Sequence, residues 1–438
     1  MISQFVAKIR SLFNSPNELR QRATAFGGMV LLTSAAVTGV LVAIRQLGVL
    51  EGFELQAYDH FVRLRPDEGA DDRLLVVAIT EADILDRNEY PIHDRTLAEL
   101  LETLQEARPR AIGIDILRDV PQGTGRAELI DILQETENAI AACKMSSAKE
   151  PGNPAAPGVP EERIGFADLP LDRDVSIRRS ILVSTPTPPP TAVANPHLCN
   201  YSDPENQIPS LSFLLALLYL EAEGIELGQT EAGDLTLGSV VLKRLGENSG
   251  GYHQAGAEDY QMLLNYRSAQ QPAEQVTLTD VLEGRVDPAR IEDRIVLIGY
   301  TAQSANDDFS TPYSAGLSDS RKMSGVSIHA QSLSQLLSAV LDNRPLIWYW
   351  PTWGEVLWIF GWSVVGGTLA WSLHRPWLFA LSGGAAIAIL YGTSYVVFLQ
   401  AGWIPVVPPA IGLLATAGGV VLIDRFNKSG YGQAFYQG

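Results

Sequence analysis

Apolar residues are distributed unevenly along this chain: long uncharged stretches lie at its two ends, and short strand- or helix-spaced runs fill its middle. Phe26–Ile44 holds 19 residues without a charge. As a helix rising ~1.5 Å per residue it is about 28 Å long, enough to cross a bilayer core of ~30 Å. It is longer than the apolar region of a signal peptide, and no small-residue cleavage pattern precedes Arg45, so the pattern predicts an uncleaved anchor. A second stretch, Val356–Leu373, is entered through Trp348, Trp350, Trp353 and Trp358, which read as an interfacial aromatic belt. From Pro376 to Ile423 no charge appears in 48 residues, and Gln400–Pro405 followed by Pro408-Pro409 divides that run into two helices. The segmentation expected is a cytoplasmic segment 1–25, a span 26–44, an α/β domain 45–352, spans 353–373, 377–399 and 404–423, and a tail 424–438.

Within the middle, strand and helix patterns alternate. Leu74–Ile79 is a continuous apolar run rich in β-branched residues, the pattern of a strand buried on both faces. Asp94 is positioned to cap a helix Arg95–Ala107, whose Leu97, Leu100, Leu101 and Leu104 recur at helical spacing. Ala111–Leu117 reads as a strand, Ala127–Glu135 as a helix and Ala139–Cys143 as a strand. Beyond Pro-rich loops come an apolar helix Ser212–Glu223, β-rich pieces at Ser239–Lys243 and Tyr260–Tyr266, a strand Arg294–Gly299 and a helix Ile328–Leu341. This order implies an α/β fold: a largely parallel sheet flanked by helices, with an antiparallel β-rich elaboration, plus four transmembrane helices.

Charge gives the orientation. Lys8, Arg10, Arg20 and Arg22 precede the first stretch, His374-Arg375 lies between the second and third, and Arg425 and Lys428 follow the last. With four spans these basic segments share one side, so both termini are expected in the cytoplasm and the domain outside, in the multi-pass arrangement of a bacterial inner-membrane protein. Residues 46–352 carry 24 Lys and Arg against 47 Asp and Glu, net −23, while the rest of the chain is net +5. A domain this acidic will not track a phosphate backbone, which excludes nucleic acid as a partner. Cys143 and Cys199 both fall in the outside domain, where a bridge between them would persist and would contribute about 4 kcal/mol; two unpaired buried thiols are the other reading.

Catalytic and cofactor motifs are missing: there is no phosphate-binding glycine loop, no HExxH, no CxxC and no GxSxG, and His60, His93, His197, His253, His329 and His374 have no metal-ligand spacing. Neither an enzyme nor a cofactor is expected. What remains is a set of polar residues at the strand ends, where open α/β sheets bind ligands. Thr80, Glu81 and Asp83 follow the first strand, Asp115 lies late in the second, Tyr300, Thr301, Asp307 and Asp308 follow the last, and His329 opens the final helix. Converging on one crevice, they would suit a divalent cation or a cationic solute. Structural roles are the alternative, with Asp115 bonding sheet backbone, Asp307 and Asp308 holding their loop, and His329 packed inside. Arg63 and Arg65 are placed to pair with carboxylates near the first span, Arg95 reads as a surface ion-pair residue, and Glu355 faces the N-terminus of the second span.

Several of these pieces together resemble the type-two CHASE extracellular sensory domain: Tyr58–Pro66, Val76–Glu81, Tyr90–Arg95, Ala111–Asp115, Leu264–Arg267, and Gly299–Ala302 with Asp307-Asp308, Thr311-Pro312 and Gly325–Gln331. The resemblance covers about residues 45–423 and implies an outside domain that senses an unidentified ligand or protein, followed by three membrane helices that pass the signal to a cytoplasmic cyclase or kinase. Here only Asp424–Gly438 follows the last stretch, too short for such a domain, so the expectation is a signal relay acting through a separate cytoplasmic effector. A structural or assembly subunit of a membrane complex and a periplasmic enzyme are the alternatives. Tyr431, Phe435 and Tyr436 read as a docking tail or a solvated end, and Gly361, Gly366, Gly367, Gly383 and Gly384 as positions where a homodimer's helices could approach closely.

Overall fold

The structure is a computed structural model, and it describes residues 16–189, 195–256, 258–314 and 322–429. Lys8, Arg10, Tyr431, Phe435 and Tyr436 lie outside the described residues. The chain forms two compact units: residues to Tyr58 with Asn248–Gln254 and everything from Trp348, and residues 59–247 with 255–347. Two helices open the chain, α1 (Pro16–Gln46) and α2 (Glu51–Leu64). The boundary between the units falls inside α2, after Tyr58.

The larger unit is built on six parallel strands: β1 (Asp71–Ile79), β2 (Ala111–Ile114), β3 (Ala139–Cys143), β4 (Ile164–Phe166), β5 (Ala273–Thr277) and β6 (Ile295–Tyr300). Their order is β5-β1-β6-β2-β3-β4. Residues 74–79 of β1 are all buried, as the run of apolar residues predicts for a strand covered on both faces. Helices α3 (Glu81–Arg87), α4 (Asp94–Glu106) and α5 (Arg126–Glu135) follow the early strands; α6 (Leu211–Ala222), α7 (Leu278–Leu282) and α8 (Gly325–Leu341) come later. One core joins Leu75, Val77 and Ile79 to Leu97, Leu101, Leu129 and Leu278, so α4, α5 and α7 share a face of the sheet. The other joins Leu74 and Val76 to Phe213, Leu215, Val326 and Leu333, which seats α6 and α8 opposite. Gly299 allows α8 to lie close on β6, since a Cβ there would come 2.6 Å from Val326. Small antiparallel sheets pair Tyr260–Leu263 with Arg179–Ser184 and stack Leu227–Gln229, Leu235–Leu237 and Val240–Leu242. Cys143 and Cys199 form a disulfide between buried positions, closing a separation of 56 residues.

Asp94 does not cap its helix. His93 is the capping position, and the buried Asp94 carboxylate instead accepts from Gln122 N at 3.2 Å and Arg126 Nη1 at 3.3 Å. An acid at the first helical turn serves equally well as the anchor of the following loop, and sequence spacing does not separate the two uses.

The smaller unit contains α1, the first half of α2, and α9 (Thr352–Ser372), α10 (Pro376–Leu399) and α11 (Val407–Lys428). Among the described residues three helices, not the expected four, are long and apolar enough to cross a membrane: Gly27–Gln46, Pro376–Leu399 and Val407–Lys428. The 21-residue α9 falls short because four tryptophans, four glycines and Glu355 dilute its apolarity. It nevertheless packs on α11 and α1. A Cβ at Gly366 would come 2.0 Å from Leu413 O, so glycine is what permits the approach of α9 and α11. Gly367 lies against Val30 and Thr416, and Thr38 Oγ1 donates to Ser363 Oγ at 3.4 Å. Trp348-Tyr349, just before α9, pairs with Gly402-Trp403, just after α10. Arg45, in the last turn of α1, meets Glu355, in the first turn of α9, at 2.6 Å. The end of α1, the start of α9 and the α10–α11 turn therefore share one end of this unit, with α9 leaving that end and α10 returning to it.

Candidate functional site

Strand ends bring together some of the expected polar residues and separate others. Asp83 is a structural clamp. It completes a capping box with Thr80 and accepts from Thr279 N at 2.9 Å and Thr279 Oγ1 at 2.5 Å, tying the start of α3 to the start of α7. Burial works against its ionised form, but the bonds from Thr279 and Thr80 hold its carboxyl below the usual range. Glu81 is exposed and accepts from Ser304 N at 3.3 Å. Tyr300, half-buried at the end of β6, accepts from Ile92 N at 3.1 Å and meets the Tyr90 ring edge to face.

Asp115, Asp307 and His329 do converge. Asp115 follows β2, where its N–H donates to Ile298 O at 2.9 Å, and His329 stands in the second turn of α8, 3% exposed. His329 Nδ1 is 2.9 Å from Ser212 Oγ, and Nε2 is 3.8 Å from Asp115 Oδ1, beyond a hydrogen bond. Burial pushes the Asp115 carboxyl up to about 7. Burial, with the Asp115 charge beside it, does the same to Asp307, also to about 7. His329 is pushed down to about 4 by burial, against the pull of Asp307, the Ala167 backbone and Asp168. All three groups thus lean toward their neutral forms, as buried groups without full charge compensation do. The void beside His329 measures about 10 Å³, room for one water at most, so the ring is part of the packed interior, while Asp115 and Asp307 are partly exposed. Among the described residues no group of three or more His, Cys, Asp or Glu side chains is arranged to hold a metal ion.

Asp308 faces a different space. It lines a cavity of about 720 Å³ together with Arg63, Arg65, Thr301, Lys322 and Ser327. Arg63, expected to pair with a carboxylate, pairs with none among the described residues; its Nη1 donates to Pro312 O at 2.6 Å. Arg65 donates to Asn265 Oδ1 and to Tyr266 O. Arg95 meets Glu128 at the surface, 3.3 Å away.

The ion cluster that sequence reasoning missed surrounds Arg178. This wholly buried guanidinium takes both oxygens of Asp59, on α2, at 2.7 Å, and also binds Asp172 at 2.8 Å and Asp174 at 2.7 Å. Arg179 reaches Asp172 as well, at 2.8 Å. Bidentate charge-assisted bonds of this kind fix geometry as well as adding energy. Asp59 lies inside the Tyr58–Pro66 piece, but Arg178 is 119 residues away and nothing local marks it.

A family model for the CHASE2 domain matches residues 36–368, more than half of the chain. The chain belongs to the CHASE2 domain family. The match starts within α1 and ends within α9, so the CHASE2 sensory domain here includes parts of both flanking helices. No curated protein and no solved structure matches the chain.

Proposed function

We propose that this CHASE2 protein is a membrane-anchored sensor whose α/β domain lies outside the cytoplasmic membrane and relays its state through α2 to a bundle of four spans. The observation that carries the reading is the bonding of α2. In the smaller unit Glu54 Oε1 accepts from Val406 N at 3.3 Å and Val407 N at 2.7 Å, at the start of α11. In the α/β unit Asp59, little more than one turn further along the same helix, is clamped by Arg178. A helix transmits displacement along its axis because its bonds run within the segment. Strain applied at Asp59 therefore has a covalent and hydrogen-bonded route to α11.

Three lines support the four-span, outward-facing arrangement. First, α9 leaves and α10 returns to the same end of the smaller unit, so a spanning α10 calls for a spanning α9 beside it. Second, the basic residues Arg375, Arg425 and Lys428 all lie at or beyond the far ends of these helices. Third, the Cys143–Cys199 disulfide suits an oxidising compartment. The recipient of the signal is proposed to be a cytoplasmic or membrane partner. A second copy of the chain is proposed to approach at Gly361, Gly383 and Gly384, where a Cβ would meet nothing within 4 Å.

A cysteine pair at Thr38 and Ser363, introduced into the full chain in native membranes, tests the relay. Oxidative cross-linking between the two positions should change rate at least twofold when Asp59→Asn is added. An unchanged rate would refute a relay through α2.

A further inference from the structure

Within the smaller unit Glu54 is sealed from water, 1% exposed. The loop Asn248–Gln254 lies over it: a Cβ at Gly251 would come 2.7 Å from the Glu54 Cβ and 2.7 Å from Trp403. The strongest charges acting on Glu54 are Arg45, from α1, and Glu355, from α9. Arg45 is already committed, with Nη1 donating to Glu355 Oε2 at 2.6 Å and Nη2 to Gly250 O. Glu355 Oε1 is buried with no hydrogen-bond partner among the described residues. One guanidinium thus answers two buried carboxylates, and one oxygen of Glu54 takes both backbone amides, of Val406 and Val407. Three further titratable groups lie nearby. Glu51, one turn back on α2, accepts from His253 N at 3.3 Å, the His253 ring lies against Gly48, and Tyr252 meets Trp403 edge to face. A buried carboxyl without a cation of its own is driven toward its neutral form. Burial, opposed by the two amides and Arg45 and aided by Glu355, pushes Glu54 up to about 7.

We propose that Glu54 is a proton-operated latch on the α10–α11 turn: seated as a neutral acid it holds the start of α11, and ionised it is drawn toward water and releases that turn. A proton favours whichever state has the higher pKa. The seated carboxyl, at about 7, stands above a hydrated one at 4.5, so acid closes the latch and rising pH opens it. The opening effect grows between those two values and levels off above about 7, where both states are ionised. The ligand is the proton itself. Its source outside the membrane, and its consequence for the α/β domain through α2, rest on the sensor reading.

The test takes the full chain in nanodiscs of zwitterionic lipid from about pH 5.5 to about pH 8, wild type beside Glu54→Gln, whose side chain keeps the shape of the neutral acid. Infrared difference spectra read the carboxyl. Hydrogen exchange, corrected for its intrinsic pH dependence, reads the amides of Val406 and Val407. The wild type is expected to lose a protonated-carboxyl band with a midpoint near 7, a band that the variant lacks. Protection of the two amides is expected to fall about tenfold or more over that range in the wild type and to stay constant in Glu54→Gln. Absence of a band that titrates in the wild type alone, or protection that changes with pH alike in both proteins or in neither, would overturn the latch. Both pH responses, with a Thr38–Ser363 cross-linking rate indifferent to Asp59→Asn, would uphold the latch and refute the relay. An Asp59→Asn effect on that rate without either pH response would do the reverse.

Discussion

Asp59 and Arg178 form a bidentate pair, Oδ1 to Nε and Oδ2 to Nη2, each at 2.7 Å, with 1% and 0% of the side chains exposed. Arg178 also answers Asp172 and Asp174, so one guanidinium serves three carboxylates. Its removal leaves two deeply buried acids without that partner, whereas removal of Asp59 leaves Arg178 with two remaining acids. Breaking a buried pair costs about 3–5 kcal/mol. Arg178→Ala should therefore destabilise by at least that amount and Asp59→Ala by clearly less. Urea unfolding of the two variants side by side measures the difference, and equal losses would contradict this division of roles.

Protons bound at the His329 cluster make stability depend on pH. Asp115 keeps its proton to about pH 7 in the folded chain but loses it near 3.8 when unfolded. Between those values the folded state holds the extra proton, so this group's contribution declines as pH rises and is exhausted above about 7. His329, with its folded value near 4 against 6.5, acts in the opposite sense over its own window. Asp115→Asn should gain on the wild type steadily from about pH 4 to 7, by on the order of a few kcal/mol, and then run parallel to it. Unfolding free energies across that range give the answer; an offset that does not vary with pH would place the wild-type proton elsewhere.

The disulfide should matter through the unfolded chain. Cys143 and Cys199 are buried and separated by 56 residues, a loop whose closure is worth about 4 kcal/mol in the chain-entropy account. Replacing both by alanine should lower the melting temperature markedly under non-reducing conditions and remove its sensitivity to reductant. Wild-type melting that is already indifferent to a strong reductant would contradict the bridge's role.

Arg45 and Glu355 provide a parallel test in the smaller unit. Glu355 is 3% exposed and its partner is 15% exposed, so Arg45→Ala leaves an uncompensated buried carboxylate. The expected cost is about 3–5 kcal/mol, and Glu355→Gln added to Arg45→Ala should recover part of it, because the charge is then gone. Denaturant titration in bicelles distinguishes the single from the double variant.

How legible these features are in the sequence follows from how local their causes are. The Leu74–Ile79 run and the leucine spacing of Leu97–Leu104 depend only on neighbours, and both elements formed where the pattern put them. The sheet's edge strand β5, Ala-Glu-Gln-Val-Thr, is half-exposed and polar on one side, so no apolar run announced it. Helix α2 hides because its buried face includes Glu54 and Asp59, whose partners lie hundreds of residues away or beyond a Pro-rich loop. The polar strand ends were found as a group, yet what each residue does there depends on packing. Asp83 clamps two helices, His329 sits in a closed interior beside Asp115, and Asp308 looks into a cavity that Arg63 and Arg65 at the end of α2 also line. The count of spans differed because α9 carries four tryptophans and Glu355 within 21 residues, which lowers its apolarity below that of the other three.

The relay through α2 is tested most directly at the amides of Val406 and Val407, which donate to Glu54. Hydrogen exchange of the full chain in nanodiscs, wild type against Asp59→Asn, reads those amides by mass spectrometry. The account predicts faster exchange there when the clamp on the far half of α2 is weakened. Acceleration confined to the α/β domain, with Val406 and Val407 unchanged, would contradict it.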